Sequence, residues 1–257
     1  MIYKFLYVAA FVALASASSC DLPSRFWCDS KKIASECGVE LQCAERHWIE
    51  DNDAQPVMLD LYFESLCPGC RQFITKMLYP TWKQFLDTKI LKIQLYSYGN
   101  AKEMKNASTG MWDFTCQHGP QECVGNLIEN CIQKYTMNDP MKYFPIFYCM
   151  ESAQDPVEAA KMCVTKGGLK WSDVDTCAKG PDGNALMHNS AMATDKLNPR
   201  HTYVPWVTIN GQHTESMQEE AQENLPKLLC DTYKGMKPKQ CAEYMEPQPL
   251  LVTYRDD

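Results

Sequence analysis

Two cysteines stand one helical turn apart, at the junction between two segments of different periodicity. Val57–Phe63 is rich in β-forming residues and carries Asp60 as its only charge, which predicts a buried central strand. After Pro68 the apolar residues recur at helical spacing, with a kink predicted at Pro80; they are Phe73, Ile74, Met77, Leu78, Phe85 and Leu86. Cys67 and Cys70 are therefore predicted at the first turn of a helix that directly follows a strand.

Further strand and helix patterns lie on both sides of a long middle segment. Ile90–Tyr96 predicts a second strand, and Val204–Gly211 predicts a third that ends in the hairpin signal Asn-Gly. A polar, amphipathic segment at 215–233 follows and is interrupted at Pro226. Residues 112–199 hold six cysteines and predict short helices and loops. The order βαβ, helical insertion, ββα predicts an α/β, thioredoxin-like fold with a disulfide-rich helical insertion.

The start of the chain and its cysteine content indicate a secreted protein. Residues 1–19 have the basic charge, apolar core and small-residue end of a signal peptide. No later stretch approaches the roughly 20 apolar residues of a membrane span. The fourteen cysteines, an even number, fit an oxidising compartment in which disulfides persist. With one C-x-x-C and five histidines, paired metal-ligand spacings do not recur, so we expect no metal site.

Four of these cysteines define a small N-terminal module. Four cysteines lie close together in the sequence, at Cys20, Cys28, Cys37 and Cys43. This spacing suggests a unit that is held by disulfides rather than by a hydrophobic core of its own, and three disulfide connectivities stay open. The segment resembles a saposin A-type module, which is expected at 20–48. The resemblance rests on the Trp27-Cys28 pair, the run Ile33–Gly38 and the final Cys43. An acidic linker at 49–56, a main domain at 57–241 and a C-terminal tail at 242–257 are expected to follow.

Charge and surface motifs narrow the partners of the chain. The net charge of −7 argues against a nucleic-acid partner, because neutralising phosphates needs a basic face. Asn106-Ala107-Ser108 is the one N-glycosylation sequon in the sequence, and the expected secretion predicts modification at Asn106.

The position of Cys67 and Cys70 predicts redox chemistry. A thiol attacks as its thiolate, and the N-terminus of a helix favours negative charge, so Cys67 is the expected nucleophile. Cys70, one turn further on and shielded, could resolve the mixed disulfide that Cys67 forms with a substrate. The competing interpretation is a permanent structural bridge involving either cysteine. The strand directly before the pair and the helix directly after it favour the redox interpretation.

Pro205 is the second expected element of the site. In thioredoxin-like folds a cis proline at the start of the strand that faces the active site leaves the preceding backbone free to pair with substrate. Val204 and Pro205 occupy that position in the chain and are expected to form the substrate groove. The alternative is a trans proline that opens an edge strand.

A longer motif suggests the family. The segment Cys116–Cys131 reads C-Q-H-G-x-x-E-C-x-x-N-x-x-x-x-C, which resembles the signature of the gamma-interferon-inducible lysosomal thiol reductase family. Leu66–Arg71, Tyr98–Ala101 and Tyr203–Thr208 add to the resemblance, which covers roughly residues 57–241. It implies a thioredoxin-like enzyme that reduces protein disulfides at acid pH in endosomes and lysosomes. Some relatives lack the second active-site cysteine, whereas this chain keeps both.

Acid operation requires an unusual thiol. With an ordinary pKa of about 8.5, only about three thiols in ten thousand would be ionised at pH 5, so the pKa of Cys67 must be strongly lowered. The helix N-terminus and Arg71 are the candidate causes. His118 is interpreted as fixing its loop by hydrogen bonds rather than as a proton donor.

Eight further cysteines are expected in structural disulfides, and a local disulfide between Cys230 and Cys241 is plausible. The eight are Cys116, Cys123, Cys131, Cys149, Cys163, Cys177, Cys230 and Cys241.

The sequence therefore predicts a thiol:disulfide oxidoreductase of the secretory pathway that acts chiefly as a reductase, in the lysosomal or endosomal lumen or after secretion. Its expected partners are disulfide-bonded protein substrates. No bound organic cofactor is expected, because no Gly-rich dinucleotide fingerprint is present, and an external small thiol must restore the dithiol. Two alternatives stay open: an oxidase or isomerase of the early secretory pathway, and a secreted binding protein that uses the same scaffold without catalysis.

Overall fold

The computed structural model describes residues 23–24, 27–28, 31–45 and 54–244. The expected signal peptide, Cys20, most of the linker at 49–56 and the tail from residue 245 onward lie outside the described residues. Within the described part of the chain, no helix is long and apolar enough to cross a membrane. The chain divides into two compact units with a boundary between Ala54 and Gln55.

Two short helices occur among the described residues of the N-terminal unit. Helix α1 spans Lys31–Glu36 and α2 spans Glu40–Glu45. Gly38, with φ +67°, lies between them in the left-handed region that favours glycine. A disulfide joins Cys28 to the buried Cys43, and Cys37 is disulfide-bonded as well. In so small a unit, these bonds replace much of the stabilisation that a larger core would supply.

A three-stranded sheet forms the centre of the main unit. Strand β1 (Val57–Phe63) pairs in parallel with β2 (Leu91–Ser97), and both fit the predicted strands. The short β3 (Lys102–Lys105) and β4 (Trp112–Thr115) form a separate antiparallel pair. Strand β5 (Trp206–Ile209) pairs antiparallel with the other edge of β1, giving the order β2-β1-β5. This arrangement is thioredoxin-like.

The predicted second strand after Asn-Gly is wrong. Asn210 and Gly211 have positive φ, as a tight turn requires, but only the isolated bridge between Ile209 and Gln212 follows. Thr214 already caps the next helix, with its hydroxyl accepting from the Met217 amide. The chain between the turn and this cap is too short for a strand.

The helix after β1 is continuous through its proline. Helix α3 (Pro68–Gln72) runs into a π-helical segment (Phe73–Leu78), then α4 (Tyr79–Phe85) and a 3₁₀ turn (Leu86–Thr88). The wider π-helical turn precedes Pro80, which has no amide hydrogen to donate. The helix therefore accommodates Pro80 by changing its hydrogen-bond pattern.

Five helices form the insertion. They are α5 (Pro120–Tyr135), α6 (Pro140–Glu151), α7 (Pro156–Lys166), α8 (Trp171–Lys179) and α9 (Pro181–Asp195). Disulfides connect α5 to α8 through Cys131–Cys177 and α6 to α7 through Cys149–Cys163. The expectation of helices and loops from residue 112 omitted β4, a strand of only four residues.

The C-terminal part covers the sheet. Helix α10 (Glu215–Thr232) is interrupted by a non-helical Asn224, two residues before Pro226, in agreement with the predicted interruption. A 3₁₀ helix at Lys239–Tyr244 extends beyond the expected domain end at residue 241, and Cys230 is joined to Cys241.

Candidate active site

Cys67 and Cys70 lie at the N-terminus of α3, as the strand and helix patterns predicted. Cys67 is the N-cap residue, and its sulfur accepts a hydrogen bond of 3.3 Å from the Cys70 amide. Pro68 occupies the first turn, where a missing amide hydrogen costs little. Both thiols are free; Cys67 is 7% exposed and Cys70 is fully buried. Cys67 is thus the residue of the pair that keeps a small exposed fraction.

The two thiols have opposite ionisation tendencies. Hydrogen bonding from Cys70, at its side chain and its amide, outweighs burial and lowers the pKa of Cys67 to about 6; the Gly69 amide and His118 contribute in the same direction. Burial raises the pKa of Cys70 well above its usual value, and the nearby Cys67 adds to this. At pH 5 about one Cys67 thiol in ten would be ionised, far more than for an ordinary cysteine.

Arg71 contacts a different part of the molecule. Its guanidinium donates to the backbone oxygens of Glu151 and Ala153 and lies 3.8 Å from the buried Glu151 carboxylate. Its positive charge is therefore engaged mainly by Glu151.

The Val204–Pro205 peptide bond is cis and lies next to the cysteine pair. The Cys67 thiol donates to the Val204 carbonyl at 3.9 Å. Pro205 is buried, and its Cδ atom lies 3.5 Å from the position that a Cβ on Gly69 would occupy. Val204 is half-buried, so part of this residue is exposed beside Cys67.

Three side chains beside Cys67, here called the Glu64 cluster, are Glu64, His118 and Glu122. The His118 Nδ1 atom lies 2.5 Å from Glu122 Oε2 and 3.3 Å from Glu64 Oε2. Burial, with the charges of Glu122 and Cys67, raises the pKa of Glu64 to about 7, against a hydrogen bond from Asn100 and the charge of His118. Burial acts to lower the pKa of His118, but Glu122 and Glu64 outweigh it and the pKa is raised.

The Glu64 cluster has the residue types of a metal site, but its spacing does not fit one. Its potential ligand atoms lie within 4.8 Å of one another. Neighbouring ligands of a tetrahedral zinc ion are about 3.3 Å apart, given bonds of about 2.0 Å. The 2.5 Å between His118 and Glu122 is instead a hydrogen-bond distance. The cluster is therefore organised around shared protons.

The motif at 116–131 packs against the segment that leads into Cys67. The disulfide Cys116–Cys123 closes the loop that carries His118. Asn126 accepts from the Ser65 amide at 3.0 Å, and the Ser65 hydroxyl donates to the Glu122 carbonyl at 3.1 Å. This motif thus holds the entry to the active-site helix as well as supplying two members of the Glu64 cluster.

Sequence reasoning did not single out Glu64 or Glu122. Both precede a cysteine that was singled out, and Glu122 belongs to the quoted motif, but neither signal shows that they meet. As predicted, His118 forms hydrogen bonds within its loop, both of them to Glu122. Its charge also lowers the pKa of Cys67, an effect that the sequence does not indicate.

The remaining predicted sites lie away from the cysteine pair. Asn106 follows β3; its side-chain oxygen accepts from the Ser108 and Thr109 amides, and its amide group donates to Asp113. Glycosylation at Asn106 stays a prediction.

Comparison with known proteins identifies the family. The sequence model of "Gamma interferon inducible lysosomal thiol reductase (GILT)" matches residues 58–167. The gamma-interferon-inducible lysosomal thiol reductase of Carassius auratus is 44% identical over 228 residues, covering 88% of this chain and 86% of that protein. The chain belongs to this family. The Mus musculus enzyme of the same name is 36% identical, over 78% of this chain and 77% of the mouse protein.

Among solved structures, oxidised BdbD from Bacillus subtilis aligns with 70% of this chain and 91% of its own at 16% identity, with a TM-score of 0.49. The fold assignment rests on the sheet topology and the helix that carries the cysteines. Family membership and this fold make the protein a thiol:disulfide oxidoreductase.

Proposed function

We propose that this protein reduces disulfide bonds of protein substrates in acid, with Cys67 as nucleophile and Cys70 as resolving thiol. The observation that carries the proposal is the asymmetry of the pair. Cys67 is the more exposed residue of the two, at 7% against 0%, and has the lowered pKa, whereas Cys70 has the raised pKa. The pair therefore has one thiol suited to attack at low pH and one that stays protonated until the second step.

The reaction follows from that asymmetry. The Cys67 thiolate attacks one substrate sulfur, so that a Cys67–substrate disulfide forms and the substrate disulfide breaks. The released thiolate takes up a proton from solvent. Cys70 then loses its proton and attacks the Cys67 sulfur, which closes the Cys67–Cys70 disulfide and releases the second substrate thiol. Two electrons pass from the cysteine pair to the substrate.

The surroundings of Cys67 support binding of an extended polypeptide. Val204 is a half-buried residue that precedes the cis bond to Pro205, and its carbonyl oxygen lies 3.9 Å from the Cys67 sulfur. An extended substrate could pair with this backbone while its disulfide lies against Cys67. We assign the substrate groove to Val204 and Pro205.

Turnover and location complete the proposal. An external small thiol restores the Cys67–Cys70 dithiol, and no organic cofactor takes part. The lowered pKa of Cys67 and the names of the relatives favour the lysosomal or endosomal lumen, with secretion as the other location.

Reduction of a disulfide-bonded protein at about pH 5 and pH 7 tests the proposal. Wild type is expected to reduce the substrate in acid and Cys67→Ser to be inactive. Cys70→Ser is expected to accumulate a mixed disulfide with substrate, detected by mass spectrometry without reductant. Glu220→Gln, an exposed position on α10, serves as the control.

Three results would contradict this proposal. Equal inactivity of wild type and both cysteine variants, with Cys67 and Cys70 accessible to reductant, would favour a binding protein. Net disulfide formation in reduced substrates would favour an oxidase. A trapped adduct on Cys70 rather than Cys67 would reverse the roles of the two cysteines.

A further inference from the structure

Backbone amides fix both carboxyl groups of the Glu64 cluster. Glu64 Oε1 accepts from the Asn100 amide at 2.6 Å, and Glu122 Oε1 accepts from the His118 amide at 2.9 Å. The second oxygen of each group points to the same ring atom, His118 Nδ1, at 3.3 and 2.5 Å. Two carboxyl groups held in this way around one imidazole form a preorganised unit for binding protons.

Burial separates the behaviour of the three side chains. The carboxyl groups of Glu64 and Glu122 are fully buried, while the His118 side chain is 33% exposed. Glu64 Oε2 has no hydrogen-bond partner, so an ionised Glu64 is costly there. The second oxygen of Glu122, by contrast, is hydrogen-bonded to His118 Nδ1 at 2.5 Å. In acid the cluster thus contains a neutral Glu64 beside a protonated His118 that is hydrogen-bonded to Glu122.

We propose that the Glu64 cluster adapts Cys67 to acid: at low pH it places the positive charge of His118 near the nucleophile while Glu64 is neutral, and it gains a negative charge beside the nucleophile when Glu64 loses its proton. Glu64, His118 and Glu122 act as positioning residues through Cys67 and need not touch substrate. This inference rests on the proposed role of Cys67 as the nucleophile.

The sign of each contribution follows from the charges. The positive charge of His118 lowers the pKa of Cys67, and it is present in acid because the pKa of His118 is raised. The Cys67 charge raises the pKa of Glu64, so ionised Glu64 must in turn disfavour the Cys67 thiolate. The cluster therefore supports the thiolate most strongly at the pH where an ordinary thiol is least ionised.

Other titratable groups near Cys67 also disfavour its thiolate only as the pH rises. Cys70 is buried and neutral beside it. On α6, the Cys67 charge contributes to raising the pKa of Glu151, whose neighbour Glu129 on α5 is also buried. Arg71 lies 3.8 Å from Glu151 and opposes that shift. These carboxyl groups add negative charge near Cys67 only as the pH rises.

The test is the rate of Cys67 alkylation by iodoacetamide against pH, with the modified cysteine identified by mass spectrometry on the reduced, full-length protein. His118→Gln removes the positive charge, so the midpoint is expected to rise and the rate at pH 5 to fall roughly threefold or more. Glu64→Gln introduces a side chain that is neutral at every pH, so no negative charge develops beside Cys67 as the pH rises. The pH profile of Cys67 alkylation is therefore expected to become steeper and its midpoint to fall.

The matched control is Glu103→Gln. Glu103 also pairs with a histidine, at 2.7 Å from His188 Nδ1, but this pair joins β3 to α9. Glu103→Gln is expected to leave the pH profile of Cys67 alkylation unchanged.

Opposite shifts in His118→Gln and Glu64→Gln support the inference, because loss of local structure would move both profiles the same way. Midpoint shifts of the same sign in the two variants would overturn the inference. Midpoint shifts no larger than that of Glu103→Gln, which is expected to be about 0.2 pH unit or less, would overturn it as well. Alkylation does not depend on substrate reduction. A wild type that reduces no disulfide but shows the opposite shifts would refute the proposed function alone.

Discussion

At the scale of single residues, a glycine is needed for the placement of Glu64. Gly99 has φ +60°, and a Cβ there would lie 2.4 Å from Glu64 Cγ. Gly99→Ala is therefore expected to displace Glu64 from the Asn100 amide and to lower the free energy of unfolding by about 1–3 kcal/mol. Urea denaturation measures the stability, and Cys67 alkylation reports the change around the nucleophile.

Gly110 provides a control for backbone strain. It has φ +73°, and a Cβ there meets no atom within 4 Å. Gly110→Ala is expected to cost only the strain, about 1 kcal/mol, and to leave Cys67 alkylation unchanged. Equal effects of the two substitutions on stability and alkylation would show that Gly99 has no specific role in placing Glu64.

Single residues also show how far sequence reasoning extends. The position of Cys67 at a helix N-terminus follows from local periodicity, so the strand before it and the helix after it could be predicted. The Glu64 cluster joins the residue that follows β1 to the loop before α5 and to the first turn of α5, and no local pattern specifies that contact. Arg71 illustrates the reverse error: it is close in sequence to Cys67, but its guanidinium binds around Glu151.

At the scale of elements, the Cys116–Cys123 disulfide holds the loop that carries His118 against the start of α5. Replacing both cysteines with alanine is expected to loosen this loop and cost about 2 kcal/mol of stability. The Cys67 alkylation profile should then shift in the direction expected for His118→Gln.

The disulfide Cys230–Cys241 offers the comparison, because it closes a loop of similar length, 11 residues against 7, at the C-terminus. Its removal should reduce stability without changing the alkylation profile. If both double variants changed the profile equally, the effect would come from general destabilisation rather than from His118.

The elements that sequence reasoning misplaced are short. β4 has four residues, and the expected strand after Asn210-Gly211 is reduced to one bridge. Such elements are decided by their pairing partner or by the next helix cap rather than by their own periodicity. The longer α10 could be predicted, including its interruption near Pro226.

At the scale of the whole molecule, buried carboxyl groups link stability to acid. Burial raises the pKa of Glu129 to about 7 and that of Glu151 well above its usual value. These two glutamates join α5 to α6, and Glu129 also accepts from the Ser97 hydroxyl on β2. The folded protein therefore keeps protons that the unfolded chain has already lost between about pH 4.5 and 7.

The sign of the pH dependence follows directly. Stability from these protons is fully present below about pH 4.5 and is lost as the pH rises through about 7. The lowered pKa of Cys67 has the opposite effect, because it increases stability as the pH rises above about 6. The difference between variant and wild type is therefore more informative than the wild-type stability curve alone.

Glu129→Gln keeps a neutral side chain of the same size at this position. It is expected to remove roughly 1–3 kcal/mol of the decline in the free energy of unfolding between pH 5 and 7.5. Urea denaturation across this range, with exposed Glu220→Gln as control, measures it. A Glu129→Gln curve parallel to that of wild type would contradict the prediction, because it would mean that Glu129 does not hold the proton that links stability to acid.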